Sequence, residues 1–137
     1  MIKYDCYFDA SFTPRMSRGG FCILNGNNLE KQSVRTLGAK TSDMAEAEIL
    51  HKLLDYIGQK IEHGNQICIY GDSQNVILSI LRGNKGCKRY KSLRRKFNRL
   101  GERYDLSIEF VPRERNTRAD ALARYGFMGT DGRIKGD

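Results

Sequence analysis

No apolar run in this 137-residue chain approaches the about 20 residues that span a bilayer, and Met1-Ile2-Lys3 leads into Asp5 without the apolar segment of a signal peptide. A cytoplasmic protein with no membrane partner is expected. Cysteine is sparse: Cys6, Cys22, Cys68 and Cys87 form no CxxC pair and three of them sit inside apolar runs. This favours reduced thiols in a reducing compartment over zinc or disulfides. No Ser/His/Asp or Cys/His arrangement is evident, and no repeat or linker divides the chain. The only histidines, His51 and His63, fall on or just after a long helical stretch and are expected at the surface.

What is present is enough for one core, since 39% of 137 residues are hydrophobic, and one domain is expected over 1–125. Gly126, Gly129, Gly132 and Gly136 punctuate a polar end without apolar period, so 126–137 is read as a flexible tail. Twenty-four Lys plus Arg against sixteen Asp plus Glu give a formal charge of +8. Such an excess points to a polyanionic partner, nucleic acid or an anionic membrane.

The first strong period is two: Ile2, Tyr4, Cys6 and Phe8 share one face of a strand read over Lys3–Ser11. Asp9 falls on the other face, where the strand gives way to a turn. Pro14 and Arg18-Gly19-Gly20 read as a turn, Phe21–Leu24 as a second strand, Gly26-Asn27-Asn28 as a hairpin turn, and Leu29–Leu37 as a third strand. The period then changes, because Ile49, Leu50, Leu53, Leu54, Ile57 and Ile61 recur at three and four, marking a helix of about five turns. Thr41-Ser42-Asp43 supplies its N-cap. At about 100° per residue, Glu46 lies on the row of Leu50, Leu53 and Ile57, flush with the buried stripe, while Glu48 lies about 200° away with Lys52 and Asp55. Glu46 is the acid with a role to fill, although Asp43-x-x-Glu46 also has the spacing of a capping box.

Ile67–Tyr70 is a short apolar run of the kind covered on both faces, and it delivers Asp72 at the mouth of a short helix over Val76–Leu81. Asp72 there is either an N-cap or a ligand at the carboxyl end of a strand. Gly83-Asn84-Lys85-Gly86 reads as a turn. The next helix buries Leu93, Phe97, Leu100 and Tyr104 and carries Lys91, Arg94, Arg95, Lys96, Arg99 and Arg103, with only Glu102 among them as a counter-charge. A phosphate-contacting surface centred on Lys91, Arg94 and Arg95 is the functional reading of that face. Leu106–Val111 is the last strand, stopped by Pro112. A basic loop then opens into an Ala-rich helix that is capped by Asn116 or Thr117 and bears Asp120.

Asp9, Glu46, Asp72 and Asp120 thus end strands or begin helices, a recurrent way of converging on one rim of a sheet. Four close carboxylates raise one another's pKa values unless cations neutralise them. Oxygen ligands alone favour Mg²⁺ or Mn²⁺, and two such ions about 4 Å apart can promote phosphodiester hydrolysis with no protein nucleophile.

Tyr7-Phe8-Asp9-Ala10-Ser11, Thr41-x-x-x-Ala45-Glu46, Tyr70-Gly71-Asp72-Ser73-Gln74 and Asn116-x-x-Ala119-Asp120-x-Leu122-Ala123 occur in the order seen in type 1 ribonuclease H, which the chain resembles up to Tyr125. The resemblance implies an α/β fold: a ribonuclease H-like five-stranded mixed sheet, three antiparallel strands then two parallel, with helices on both faces. It implies that Asp9, Glu46, Asp72 and Asp120 are catalytic and hold two Mg²⁺ or Mn²⁺ ions. The implied partner is an RNA/DNA hybrid, whose RNA strand is cut to 5′-phosphate and 3′-hydroxyl ends by a monomer needing no obligate protein partner. Ser11, Thr41, Ser42, Gln74 and Asn116 are the implied substrate contacts.

The chain departs from the family at three places. The loop before the last acid, Val111-Pro112-Arg113-Glu114-Arg115-Asn116, lacks the His found in many members. It resembles a subgroup that manages without it. Arg113, Glu114, Arg115 and Arg118 are the candidates to replace it, with Arg118 favoured because it shares a helix with Asp120. Ser42 and Asp43 stand where the family often has two Asn, and Gly83 to Cys87 leaves little room for the family's basic protrusion, for which Lys88 to Arg103 is a substitute. The alternatives are a catalytically silent nucleic-acid-binding domain of the same fold, or a nuclease acting on duplex RNA or structured DNA.

Overall fold

The computed structural model describes residues 1–82 and 88–126. The turn expected at Gly83–Gly86, Cys87, and the tail beyond Gly126 lie outside the described residues. Five strands, β1 (Lys3–Phe12), β2 (Ser17–Asn25), β3 (Asn28–Leu37), β4 (Gln66–Gly71) and β5 (Asp105–Phe110), form one sheet in the order β3-β2-β1-β4-β5. β1 to β3 pair antiparallel, whereas β4 runs parallel to both β1 and β5. The helices are α1 (Ser42–Lys60), α2 (Gln74–Arg82), α3 (Lys88–Leu100) and α4 (Thr117–Tyr125), with one 3₁₀ turn at Arg113–Arg115.

The alternation in β1 sorts the core. Cys6 and Phe8 are buried on the face covered by α1, where they meet Ile49, Leu50, Leu53 and Ile57 of its apolar stripe. Tyr7 faces the opposite layer and packs with Cys22 and Leu122 beneath α4. Helices therefore cover both faces, and β1 is the middle strand. Cys6, Cys22 and Cys68 are buried free thiols, and burial pushes Cys6 and Cys22 up, the latter to about 11. His63 is exposed as expected, but His51 is half-buried.

Arg18-Gly19-Gly20 is not a turn. It lies inside β2, paired with Ser11, Ala10 and Asp9, and the reversal is made earlier by mutual backbone bonds between Thr13 and Met16. The glycines serve packing: a Cβ on Gly19 would lie 2.6 Å from Ile49 Cβ, and one on Gly20 would lie 2.5 Å from Leu122 Cβ. These two adjacent positions let α1 and α4 approach the sheet from opposite sides. A third close approach joins β4 to β1, where a Cβ on Gly71 would come within 2.5 Å of the Phe8 ring.

The helix ends are set locally and at long range. Thr41 caps α1, its hydroxyl accepting from Met44 N at 3.2 Å. Tyr104 OH donates to the Ile57 and Ile61 carbonyls at the other end. Arg18 closes α4 by donating to the carbonyls of Ala123 at 2.9 Å and Arg124 at 2.7 Å, and Gly126 follows with φ +80°. No helix of the described residues is long and apolar enough to cross a membrane.

Candidate active site

Three of the expected acids converge. Asp9 near the end of β1, Glu46 in the second turn of α1 and Asp72 just past β4 bring carboxylate oxygens within 4.8 Å of one another. Asp9 and Glu46 are buried, at 4% and 6% exposure, and Asp72 is half-buried. Glu46 does not close a capping box with Asp43; its Oε1 accepts from Ala10 N at 3.1 Å. Asp9 Oδ1 accepts from the same N–H at 2.9 Å. Asp72 is not the N-cap of α2, because Ile77 N bonds the Ser73 carbonyl. Its Oδ2 instead accepts from Asn116 Nδ2 at 3.3 Å.

Burial, reinforced by the Asp72 charge, pushes Asp9 up from its ordinary 3.8 to about 7. Burial and then the Asp9 charge push Glu46 well above its ordinary range. Such shifts arise where like charges are held together out of water. Glu46 Oε2 is buried with no hydrogen-bond partner. An all-oxygen donor set with an unsatisfied carboxylate oxygen fits a hard divalent cation, held by Asp9, Glu46 and Asp72.

Asp120 adjoins this triad without being one of the three. It lies close enough to Asp9 to help raise that acid, while its own Oδ1 accepts from Arg124 Nε at 2.9 Å. Arg124 was not among the expected residues, although it stands four places after Asp120 on one helix, a spacing that pairs side chains. Arg118, favoured from the sequence, has no hydrogen bond or ion pair to an acid among the described residues. Together with Arg115, Thr117, Tyr7 and Leu24 it lines a cavity of about 130 Å³, and its charge acts on Tyr7 and Cys22. Arg113 and Glu114 are exposed on the 3₁₀ turn.

Asn116, expected at the substrate, is completely buried. Its Nδ2 donates to Phe8 O at 2.9 Å as well as to Asp72, so it clasps the ends of two strands, and it makes no side-chain cap bond to α4. Thr41, Ser42 and Gln74 are exposed near this rim and Ser11 is half-exposed. Asn75 Nδ2 donates to Asp43 Oδ2 at 3.3 Å, tying the starts of α2 and α1 together. Lys91, Arg94, Arg95 and Arg99 are exposed on α3 and form no ion pair among the described residues. Lys96 differs from the expectation, since it meets Asp55 of α1 at 2.6 Å.

No protein-family model and no curated protein matches the sequence. Solved structures do match the fold. A ribonuclease H1 from the halophilic archaeon Halobacterium salinarum superposes with a TM-score of 0.75 at 26% identity, over 88% of this chain and 93% of that one. The N-terminal ribonuclease H domain of a Mycobacterium tuberculosis protein gives 0.75 at 22% identity, covering 90% and 91%. A ribonuclease H1 isolated from compost, solved with an RNA/DNA hybrid, gives 0.70 at 23% identity, covering 87% and 92%. With its strand order, its two helical layers and its acids at the carboxyl end of the central strands, this chain has the type 1 ribonuclease H fold.

Proposed function

We propose that the protein is an endoribonuclease that hydrolyses the RNA strand of RNA/DNA hybrids in the presence of Mg²⁺ or Mn²⁺. The observation that carries this reading is the buried triad of Asp9, Glu46 and Asp72, whose acids stand close together with Glu46 Oε2 unsatisfied. Its support from similarity is the archaeal ribonuclease H1 at 26% identity and the hybrid held by another structure of the same fold. Two cations, held by the triad with Asp120 as the fourth ligand, would activate water and stabilise the departing oxygen, leaving 5′-phosphate and 3′-hydroxyl ends. The protein's own residues hold these acids in place: Asn116 restrains Asp72, and Arg124 restrains Asp120.

Substrate contacts follow from position. Ser11, Thr41, Ser42 and Gln74 offer polar groups at the acidic rim for the 2′-hydroxyls of the RNA strand, and Lys91, Arg94 and Arg95 offer charge for the phosphates of the DNA strand. Readout of this kind is insensitive to sequence. A cytoplasmic monomer belongs to the same reading. The test is cleavage of end-labelled RNA/DNA hybrid beside duplex DNA, duplex RNA and each single strand, with each metal in turn. Cleavage confined to the RNA of the hybrid, abolished in Asp9→Asn with binding retained, is expected. Hybrid binding without cleavage in either metal would replace the enzyme by a silent binding domain.

A further inference from the structure

The β1–β2 reversal and the segment entering α1 enclose a groove of about 490 Å³ whose walls include Phe12, Arg15, Met16, Ser17, Ala39 and Lys40. A volume of this size accommodates a small organic ligand. Phe12 and Met16 are large apolar side chains left 36% and 49% exposed. Arg15 and Lys40 are exposed and form no ion pair among the described residues. Ser17 is the reverse case: it is 4% exposed, and its buried Oγ has no hydrogen-bond partner. One wall is firm, because Thr13 and Met16 bond each other through backbone and hydroxyl at 2.9 to 3.3 Å. The Thr13 hydroxyl is used inside that turn, while the Ser17 hydroxyl is left over.

An aromatic face, a thioether, two free cations and one unsatisfied hydroxyl are the complement of an unstacked nucleotide: a base to stack, a phosphate to neutralise and a sugar hydroxyl to bond. The groove is built on the same strand and helix start that carry the acidic site. Phe12 stands three residues beyond Asp9 on β1, about 10 Å along the strand, and Lys40 immediately precedes the Thr41 cap of α1.

We propose that this groove is a subsite for an unpaired ribonucleotide, the first single-stranded residue of an RNA strand that runs out of the hybrid. The proposal rests on the ribonuclease H reading, under which the strand held at Asp9 is RNA. The Ser17 hydroxyl is covered, and it would reach the 2′-hydroxyl only after a local side-chain shift. The enzyme would accordingly favour hybrids whose RNA continues past the duplex over blunt ones.

Binding in Ca²⁺, to suppress turnover, is measured for a blunt hybrid and for the same hybrid with a three-nucleotide RNA or DNA extension at either end, with 2-aminopurine as the first unpaired base. One RNA extension is expected to tighten Kd by about fivefold or more, with the fluorescence of the base quenched. The advantage should fall to near unity in Phe12→Ala and shrink in Arg15→Ala, so that one poorly folding variant does not decide the matter. Equal Kd for blunt and extended hybrids, an equal gain from the DNA extension, or a gain that survives both substitutions would overturn the subsite. If the blunt hybrid is neither bound nor cut, the ribonuclease H reading fails by itself. The groove is then judged with a single-stranded tetraribonucleotide, whose failure to shift the Met16 methyl resonance would overturn it too.

Discussion

Asp9 and Glu46 share one donor: the Ala10 N–H lies 2.9 Å from the first carboxylate and 3.1 Å from the second. One amide cannot compensate two buried charges, so ionising Glu46 beside Asp9 is costly until a cation neutralises the pair. Glu46→Gln keeps an oxygen for Ala10 and removes that charge. Hybrid cleavage is expected to fall by about 100-fold or more, the scale of a lost group that stabilises the transition state. The melting temperature in EDTA is expected to hold or rise, and calorimetry with and without Mg²⁺ should show a smaller metal-induced gain than in the parent.

The Asp9 shift predicts an inverted pH dependence. Its folded pKa, about 7, exceeds the ordinary 3.8, so the folded state binds the proton more tightly than the unfolded chain. The stability this contributes is complete below about 3.8 and is lost as pH rises through about 7. In EDTA, the parent should lose stability relative to Asp9→Asn between pH 5 and pH 8, on the order of 1–3 kcal/mol. Saturating Mg²⁺ should flatten the difference. Thermal melts of both proteins across that range would contradict this if the gap stayed constant.

Two arginines of α4 are distinguishable by mutation. Arg124 holds Asp120 at 2.9 Å, whereas Arg118 sits beside Tyr7 and Cys22. Arg124→Ala should lower kcat more than Arg118→Ala, by several-fold. Because the Arg124 pair is partly exposed, its loss should cost less than about 1 kcal/mol of stability. Single-turnover cleavage with both variants ranks them.

Gly20→Ala forces a Cβ to within 2.5 Å of Leu122 Cβ. Overpacking of this kind costs about 1–3 kcal/mol, and the displaced α4 carries Asp120, so activity should drop with stability. Leu122→Gly, which removes that Cβ, should recover part of the Gly20→Ala loss when compared with Leu122→Gly alone. A double-mutant cycle in urea that came out additive would rule out this contact as the cause.

The open cations of α3 predict salt dependence. Hybrid Kd should weaken steeply between 50 and 200 mM salt, and each of Lys91→Ala, Arg94→Ala and Arg95→Ala should reduce the log–log slope by about one. Titrations at four salt concentrations measure it.

What the sequence made legible was whatever a local period governs. The spacing of the α1 stripe separated Glu46 from Glu48, and the structure gathers Glu46 with Asp9 and Asp72 and leaves Glu48 outside. The antiparallel run of β1 to β3 likewise follows from short connections, whereas the parallel strands are implied only by the family resemblance. The misreadings concern residues whose purpose lies across the fold. Gly19 and Gly20 look like a turn because the helices that need their missing side chains come about 30 and 100 positions later. Asn116 looks like a cap or a substrate contact until β1 is placed beneath it. Lys96 looks free until Asp55 of α1 is brought alongside.

The close approach of Gly71 to the Phe8 ring fixes more than packing. Asp9 and Asp72 each follow that contact by one residue, and Asn116 clasps the Phe8 carbonyl and the Asp72 carboxylate from the far side. The separation of the two acids is therefore a property of paired main chains, already present before any cation binds. Cation affinity and sheet integrity become one linked equilibrium: each tightly bound ion stabilises the native state, and any change that loosens β4 against β1 should be felt first as weaker metal binding and only later as unfolding.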